Sequence, residues 1–61
     1  MRDRFLRFLE VKHLTGLSRS TIWRLSQMHQ FPRSRKIGRS AVAWLESEIM
    51  AWIKERAEAR S

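Results

Sequence analysis

Arg19, Ser20, Trp23, Arg24, Gln27 and Gln30 share one side of the chain when residues 19–30 are turned at about 100° per residue, the helical period. Their side chains are the kinds that contact phosphates, base edges and sugar rings: guanidinium and hydroxyl for phosphate, guanidinium and carboxamide for bases, an indole face for sugar. Thr21, Ile22, Leu25, Met28 and His29 fall on the opposite side and are expected in the core. A second basic group follows closely, with Arg33, Arg35, Lys36 and Arg39 placing four cations in seven residues. Such crowding is repulsive unless an anion gathers it. From Arg19 to Arg39 there are six basic residues and no acid, the electrostatic footprint of a polyanion binder.

The residues for other chemistry are missing. His13 and His29 lack zinc-ligand spacing and there is no Cys, so neither a metal nor a disulfide is expected. No nucleophile–base pair and no phosphate-binding glycine loop can be picked out, and a chain of this size leaves little room for a pocket. The expectation is a binder rather than an enzyme, with no cofactor and no small-molecule ligand.

Local signals show how the first group is held. Gly16 can take the left-handed conformation just past a helix end, with Leu17 folding back onto Val11. Ser18 stands where an N-cap should, able to accept from the N–H of Ser20 or Thr21. Leu17 and Ile22 have the spacing of a hydrophobic staple. A first helix of about Glu10–Thr15, with Phe8, Val11 and Leu14 along one face, then joins a second through a three-residue turn, making a helix-turn-helix. Pro32 disfavours helix at Phe31, so the second helix is expected to end near Gln30, with Phe31 as an anchor beneath the pair.

The second basic group falls on two short extended segments, Ser34–Ile37 and Ser40–Trp44, around Gly38-Arg39. Gly38 is expected to supply the positive φ of a tight hairpin. Val42 and Trp44 alternate with Ala41 and Ala43, which lets one face be buried. A basic hairpin after a helix-turn-helix reads as a wing, with Arg33, Arg35, Lys36 and Arg39 able to reach the DNA backbone or minor groove.

In the remaining chain, residues 1–4 read as a loose basic arm and residues 5–9 as a short strand or extended segment lying on the core. Leu45, Ile49, Trp52 and Ile53 form the apolar stripe of a last helix. Glu46 and Glu48 stand early in it and Lys54, Arg56 and Arg60 late, the order the helix dipole favours, and Ser47 is an alternative N-cap. Trp44, Trp52 and Phe31 are expected to be the large core residues, whereas Trp23 lies on the polar face. The net charge of +7, from 13 Lys and Arg against 6 Asp and Glu, is segregated. Residues 1–44 carry ten basic and two acidic residues, residues 45–61 three and four.

The 61 residues read as one domain, 1–61, mainly α with a small β-hairpin: a winged helix-turn-helix of three helices plus wing. A core this small supplies only about 3–5 kcal/mol. No apolar run approaches the length of a membrane span, and MRDRFLRF lacks the apolar stretch of a signal peptide, so a cytoplasmic, nucleoid-associated protein is expected, with no membrane partner.

Several blocks recur in order: Leu14-Thr15-Gly16-Leu17-Ser18-Arg19-Ser20-Thr21-Ile22-Trp23-Arg24-Leu25, then Phe31-Pro32, a basic hairpin, Ala41-Val42-Ala43-Trp44, Glu48-Ile49 and Ala51-Trp52-Ile53. Over residues 5–57 this closely resembles the AlpA family of small prophage regulators, related to phage excisionases and to the winged domain of MerR-type proteins. The resemblance implies a DNA-binding activator of excision or integrase genes. The leading expectation is a sequence-specific transcriptional regulator binding double-stranded DNA, with residues 19–30 in the major groove. Ser18, Arg19, Ser20, Trp23, Arg24 and Gln27 would contact DNA there, and Arg33, Arg35, Lys36 and Arg39 beside it. A rival keeps the DNA but makes the protein an excisionase-like architectural factor that bends it. Another makes it a protein-interaction adaptor presenting Trp23 and the last helix. One recognition helix gives limited contact area, so a homodimer or a cooperative oligomer on DNA is expected, with Met50 and Ala57 on the outer side of the last helix as the first surface to consider.

Overall fold

The computed structural model describes residues 3–59. In chain order it has β1 (Phe5–Leu6), α1 (Phe8–Thr15), α2 (Arg19–Gln27), β2 (Arg35–Lys36), β3 (Val42–Leu45) and α3 (Glu46–Ala59). The architecture is mixed: three helices on a small antiparallel sheet of order β1-β3-β2. The hairpin expected from the sequence is therefore two strands of three. β1 pairs Phe5 with Leu45 and Leu6 with Trp44, while β2 pairs Arg35 with Ala43 and Lys36 with Val42.

α1 starts two residues earlier than expected, because Glu10 in its first turn accepts the Arg7 N–H at 3.4 Å and closes the helix end there. At the other end Gly16 has φ 73° and donates its N–H to the Lys12 carbonyl at 2.8 Å. The Thr15 hydroxyl donates to the Val11 carbonyl at 2.8 Å and accepts the Leu17 N–H at 3.3 Å, so the turn leaves few polar groups unmet. Ser18 caps α2 as expected, accepting the Thr21 N–H at 3.3 Å.

α2 stops at Gln27, before Pro32 can act. His29 takes φ 57°, its N–H bonds to the Ser26 carbonyl, and the Gln30 N–H bonds to the Leu25 carbonyl at 2.8 Å. That pair of bonds around a left-handed residue is a Schellman ending, made here with His rather than Gly. Met28 and His29 consequently leave the helix and are exposed, against the expectation of core positions. Leu14 is also exposed at the end of α1.

Gly38 does not have positive φ, and the link from β2 to β3 is a wider loop closed by the Ile37 N–H on the Ala41 carbonyl at 2.9 Å. The expected alternation in β3 also fails: Ala43 and Trp44 are both buried and Val42 is exposed. β3 is contacted by α1 and α3 as well as by its two neighbouring strands, so burial along it does not follow a single face.

Leu6, Val11, Ile22, Phe31, Trp44 and Ile49 form the core, with Phe8, Leu17, Leu25, Trp52 and Ile53 packed around it. Phe31 is the anchor anticipated, edge-on to Trp52 at 4.9 Å and to Trp44 at 6.5 Å between ring centres. Each indole N–H is satisfied beside it, Trp52 on the Gln30 carbonyl at 2.8 Å and Trp44 on the Pro32 carbonyl at 3.1 Å. The 30–32 segment is thereby tied to both β3 and α3.

α3 follows β3 without a linker, and Ser47 lies inside it rather than capping it. The cap comes from the far end of the chain. Asp3 accepts the Ser47 N–H at 3.1 Å and the Ser47 hydroxyl at 2.6 Å, and those bonds hold its carboxyl below the usual carboxylate range. Arg4 pairs with Glu46 at 3.3 Å and Glu10 at 3.4 Å, joining α1 to α3. Residues 3 and 4 are thus fastened rather than loose. Met1 and Arg2 of the expected arm, and Arg60 at the end of the last helix, lie outside the described residues.

Candidate nucleic-acid interface

Burial of Ile22, with Thr21 and Leu25 part-buried beside it, orients α2. The opposite side is open: Arg19, Ser20, Trp23, Arg24 and Gln27 are all exposed, with Trp23 at 66%. An indole left this open on a helix whose other apolar residues are covered is available for contact. Trp23 is not among the core residues or those packed around them.

Arg19 has no acid in its turn to offset the helix dipole. Its guanidinium instead lies 4.0 Å above the centre of the Phe8 ring, whose electron-rich face favours a cation without neutralising it. The contact braces the first turn of α2 against α1. Sequence spacing did not reveal it, since Phe8 read as a core residue. The Ser18 hydroxyl is occupied within the chain, bonded to the Thr21 N–H and lying 3.0 Å from Thr21 Oγ1 and 3.3 Å from Ser20 Oγ. Ser18 and Ser20 therefore form a hydroxyl pair at the start of α2.

Arg33, Arg35, Lys36 and Arg39 are exposed but do not form one row. Arg35 and Lys36 are successive residues of β2, so the pleat sends them to opposite faces. Arg35 is turned to α3, where its Nη2 meets Glu48 Oε2 at 2.8 Å. Among the described residues no side chain hydrogen-bonds or ion-pairs with Arg24, Arg33, Lys36 or Arg39. Five of the six cations between Arg19 and Arg39 are thus free of acid, and Glu48 is the acid that reaches the sixth. No spacing rule pointed to Glu48, which read only as a dipole-favoured residue of the last helix.

Among the described residues no group of His, Cys, Asp and Glu is placed to hold a metal ion, and no helix is long and apolar enough to cross a membrane. The exposed residues of α2 and the unpaired cations after it are of the types that hold a polyanion and touch its bases.

A sequence profile described as "Prophage CP4-57 regulatory protein (AlpA)" matches residues 4–57. The chain belongs to the AlpA family. The match covers nearly the span on which the residue blocks suggested that family. Two relatives accompany it. The chain is similar to "Uncharacterized protein ORF88" of Enterobacteria phage P4, 50% identical over 58 residues, covering 95% of this chain and 66% of the phage protein. It is also similar to "DNA-binding transcriptional activator AlpA" of Escherichia coli K12, 36% identical over 59 residues, covering 87% of this chain and 84% of that protein. This AlpA-family chain thus spans about two thirds of the phage relative's length. No solved structure matches it.

Proposed function

We propose that this chain is a sequence-specific, DNA-binding transcriptional regulator of phage or prophage origin and not an enzyme. α2 enters the major groove of double-stranded DNA, with Ser18 and Ser20 at its start and Arg19, Trp23, Arg24 and Gln27 along the contact. The β2–β3 loop acts as a wing, with Arg33, Lys36 and Arg39 on phosphates or the adjacent minor groove. The observation that carries this reading is the outward face of α2, which keeps an indole, two guanidiniums and a carboxamide uncovered while Ile22 holds the other face in the core. The regulatory family and the E. coli relative named a DNA-binding activator agree with it. A single module of this kind buries only about 600–1,000 Å² on DNA, so two copies or a cooperative array on adjacent sites are part of the proposal. The exposed Met50 and Ala57 of α3 are the first surface to test for pairing. The site of action is the cytoplasm, on the nucleoid.

The test is footprinting on the DNA of the element that carries the chain, followed by binding to the protected site and to a mixed-sequence duplex at several salt concentrations. With Arg24 on a base edge, the four other acid-free cations on phosphates give a slope of log K against log salt of about −3.6. Arg24→Ala is expected to lose discrimination between the two duplexes, by about 1–3 kcal/mol for a lost base contact. Lys36→Ala is expected to weaken both equally and to flatten the slope by about 0.9. A slope near zero refutes DNA binding, and identical losses for the two variants refute the division between reading and gripping.

A further inference from the structure

Glu48 sits on the first turn of α3, outside the surface assigned to DNA, and its carboxylate is divided. Oε2 accepts from Arg35 Nη2 at 2.8 Å, whereas Oε1 is enclosed and has no hydrogen-bond partner. Both side chains are partly open, 48% for Arg35 and 38% for Glu48, and ion pairs this exposed add little to folding stability. The pair does have a consequence at the surface. If Arg35 left for a phosphate, Glu48 would lose its charge-assisted hydrogen bond on Oε2 while Oε1 already has no partner, leaving the carboxylate with no protein donor. If Arg35 stayed and also touched a phosphate, a carboxylate would lie beside that phosphate and the pair would bring no net charge.

We infer that Glu48 withholds Arg35 from the phosphate backbone and so sets the sequence-independent part of the affinity for DNA. The inference rests on the DNA-binding reading above and names a control built into that surface. Non-specific binding is almost wholly electrostatic, so subtracting one cation from the wing lowers it while leaving base contacts from α2 in place. The specific complex shares the same phosphate contacts, so both modes weaken together and the ratio between them is kept. Position assists this role, since Arg35 lies on the face of β2 opposite to Lys36 and is, among the described residues, the wing cation that ion-pairs with α3.

A mixed-sequence 20-base-pair duplex is a sufficient probe, because the effect does not depend on the operator. Glu48→Gln keeps the shape of the side chain and removes its charge. It is expected to tighten binding at low salt and to steepen the salt slope by about 0.9, so that between 50 and 200 mM salt it loses about 3.5-fold more affinity than the unaltered chain. The steepening is expected to vanish when the same change is made in an Arg35→Gln chain. Glu55→Gln, which removes a charge from the same helix away from Arg35, is expected to leave the slope unchanged. In the unaltered chain, guanidinium NMR signals of Arg33 and Arg39 are expected to move on adding duplex while that of Arg35 stays, a readout that requires no substitution to fold. An unchanged slope in Glu48→Gln, steepening that persists without Arg35, equal steepening in Glu55→Gln, or an Arg35 signal that moves with the others overturns the inference. A slope near zero in the unaltered chain overturns the DNA-binding reading itself, which separates the two failures.

Discussion

Gly16→Ala tests the turn that orients α2. Gly16 sits at φ 73°, in the left-handed region, and a Cβ built on it meets nothing within 4 Å. Any cost of the added methyl is therefore conformational rather than steric. An L-residue held left-handed costs about 1–2 kcal/mol. Against this, Ala stiffens the unfolded chain relative to Gly, which returns about 0.4–1 kcal/mol. The net loss is about 1 kcal/mol, a large share of the roughly 3–5 kcal/mol that a core of this size supplies. For a chain of this length that corresponds to a fall in Tm of about 4–8 °C. The assay is a thermal melt followed by far-ultraviolet circular dichroism, with Gly16→Asn alongside, since Asn accepts the left-handed region more readily and is expected to melt between the two. A Tm raised by Gly16→Ala would refute the left-handed turn, because the unfolded-chain gain would then stand unopposed. A loss above about 3 kcal/mol would refute the open space around it, because strain alone does not reach that size.

The Asp3–Ser47 cap makes stability depend on pH. Folding lowers the Asp3 pKa from its ordinary 3.8, so the contribution is fully present above that value and is lost as pH falls through the lower folded value. In acid titrations of stability, the gap between the unaltered chain and Asp3→Asn is expected to close below pH 3.8, and a gap constant down to pH 2 contradicts the charge-based part of the cap. Phe31→Ala removes the ring lying between Trp44 and Trp52 and is expected to cost about 3–5 kcal/mol, comparable with the whole stability, leaving the chain largely unfolded at 25 °C by circular dichroism and urea titration. A variant that still folds cooperatively would show that the two indoles pack without it.

The sequence by itself determined what is settled within a few residues. Gly16, Leu17 and Ser18 specify the turn because a left-handed cap, a staple and an N-cap act across three to five positions, and the structure has the two caps where the sequence placed them and Leu17 packed against the core. The polar face of α2 was legible for the same reason, as helical period and one buried Ile22 fix which side turns outward. The order of the residue blocks was sufficient for the family. Tertiary structure alone decided what joins distant parts of the chain. Asp3 caps α3 across 44 residues, β1 completes the sheet across a comparable span, and Arg35 finds Glu48 thirteen residues on. Periodicity and propensity describe a segment's preference for itself and carry no information on which remote partner will lie beside it. The left-handed His29 belongs to the same group. No local rule singles out His there over Pro32 three residues later, and the early turn delivers Phe31 to Trp44 and Trp52, contacts that segment preference does not encode.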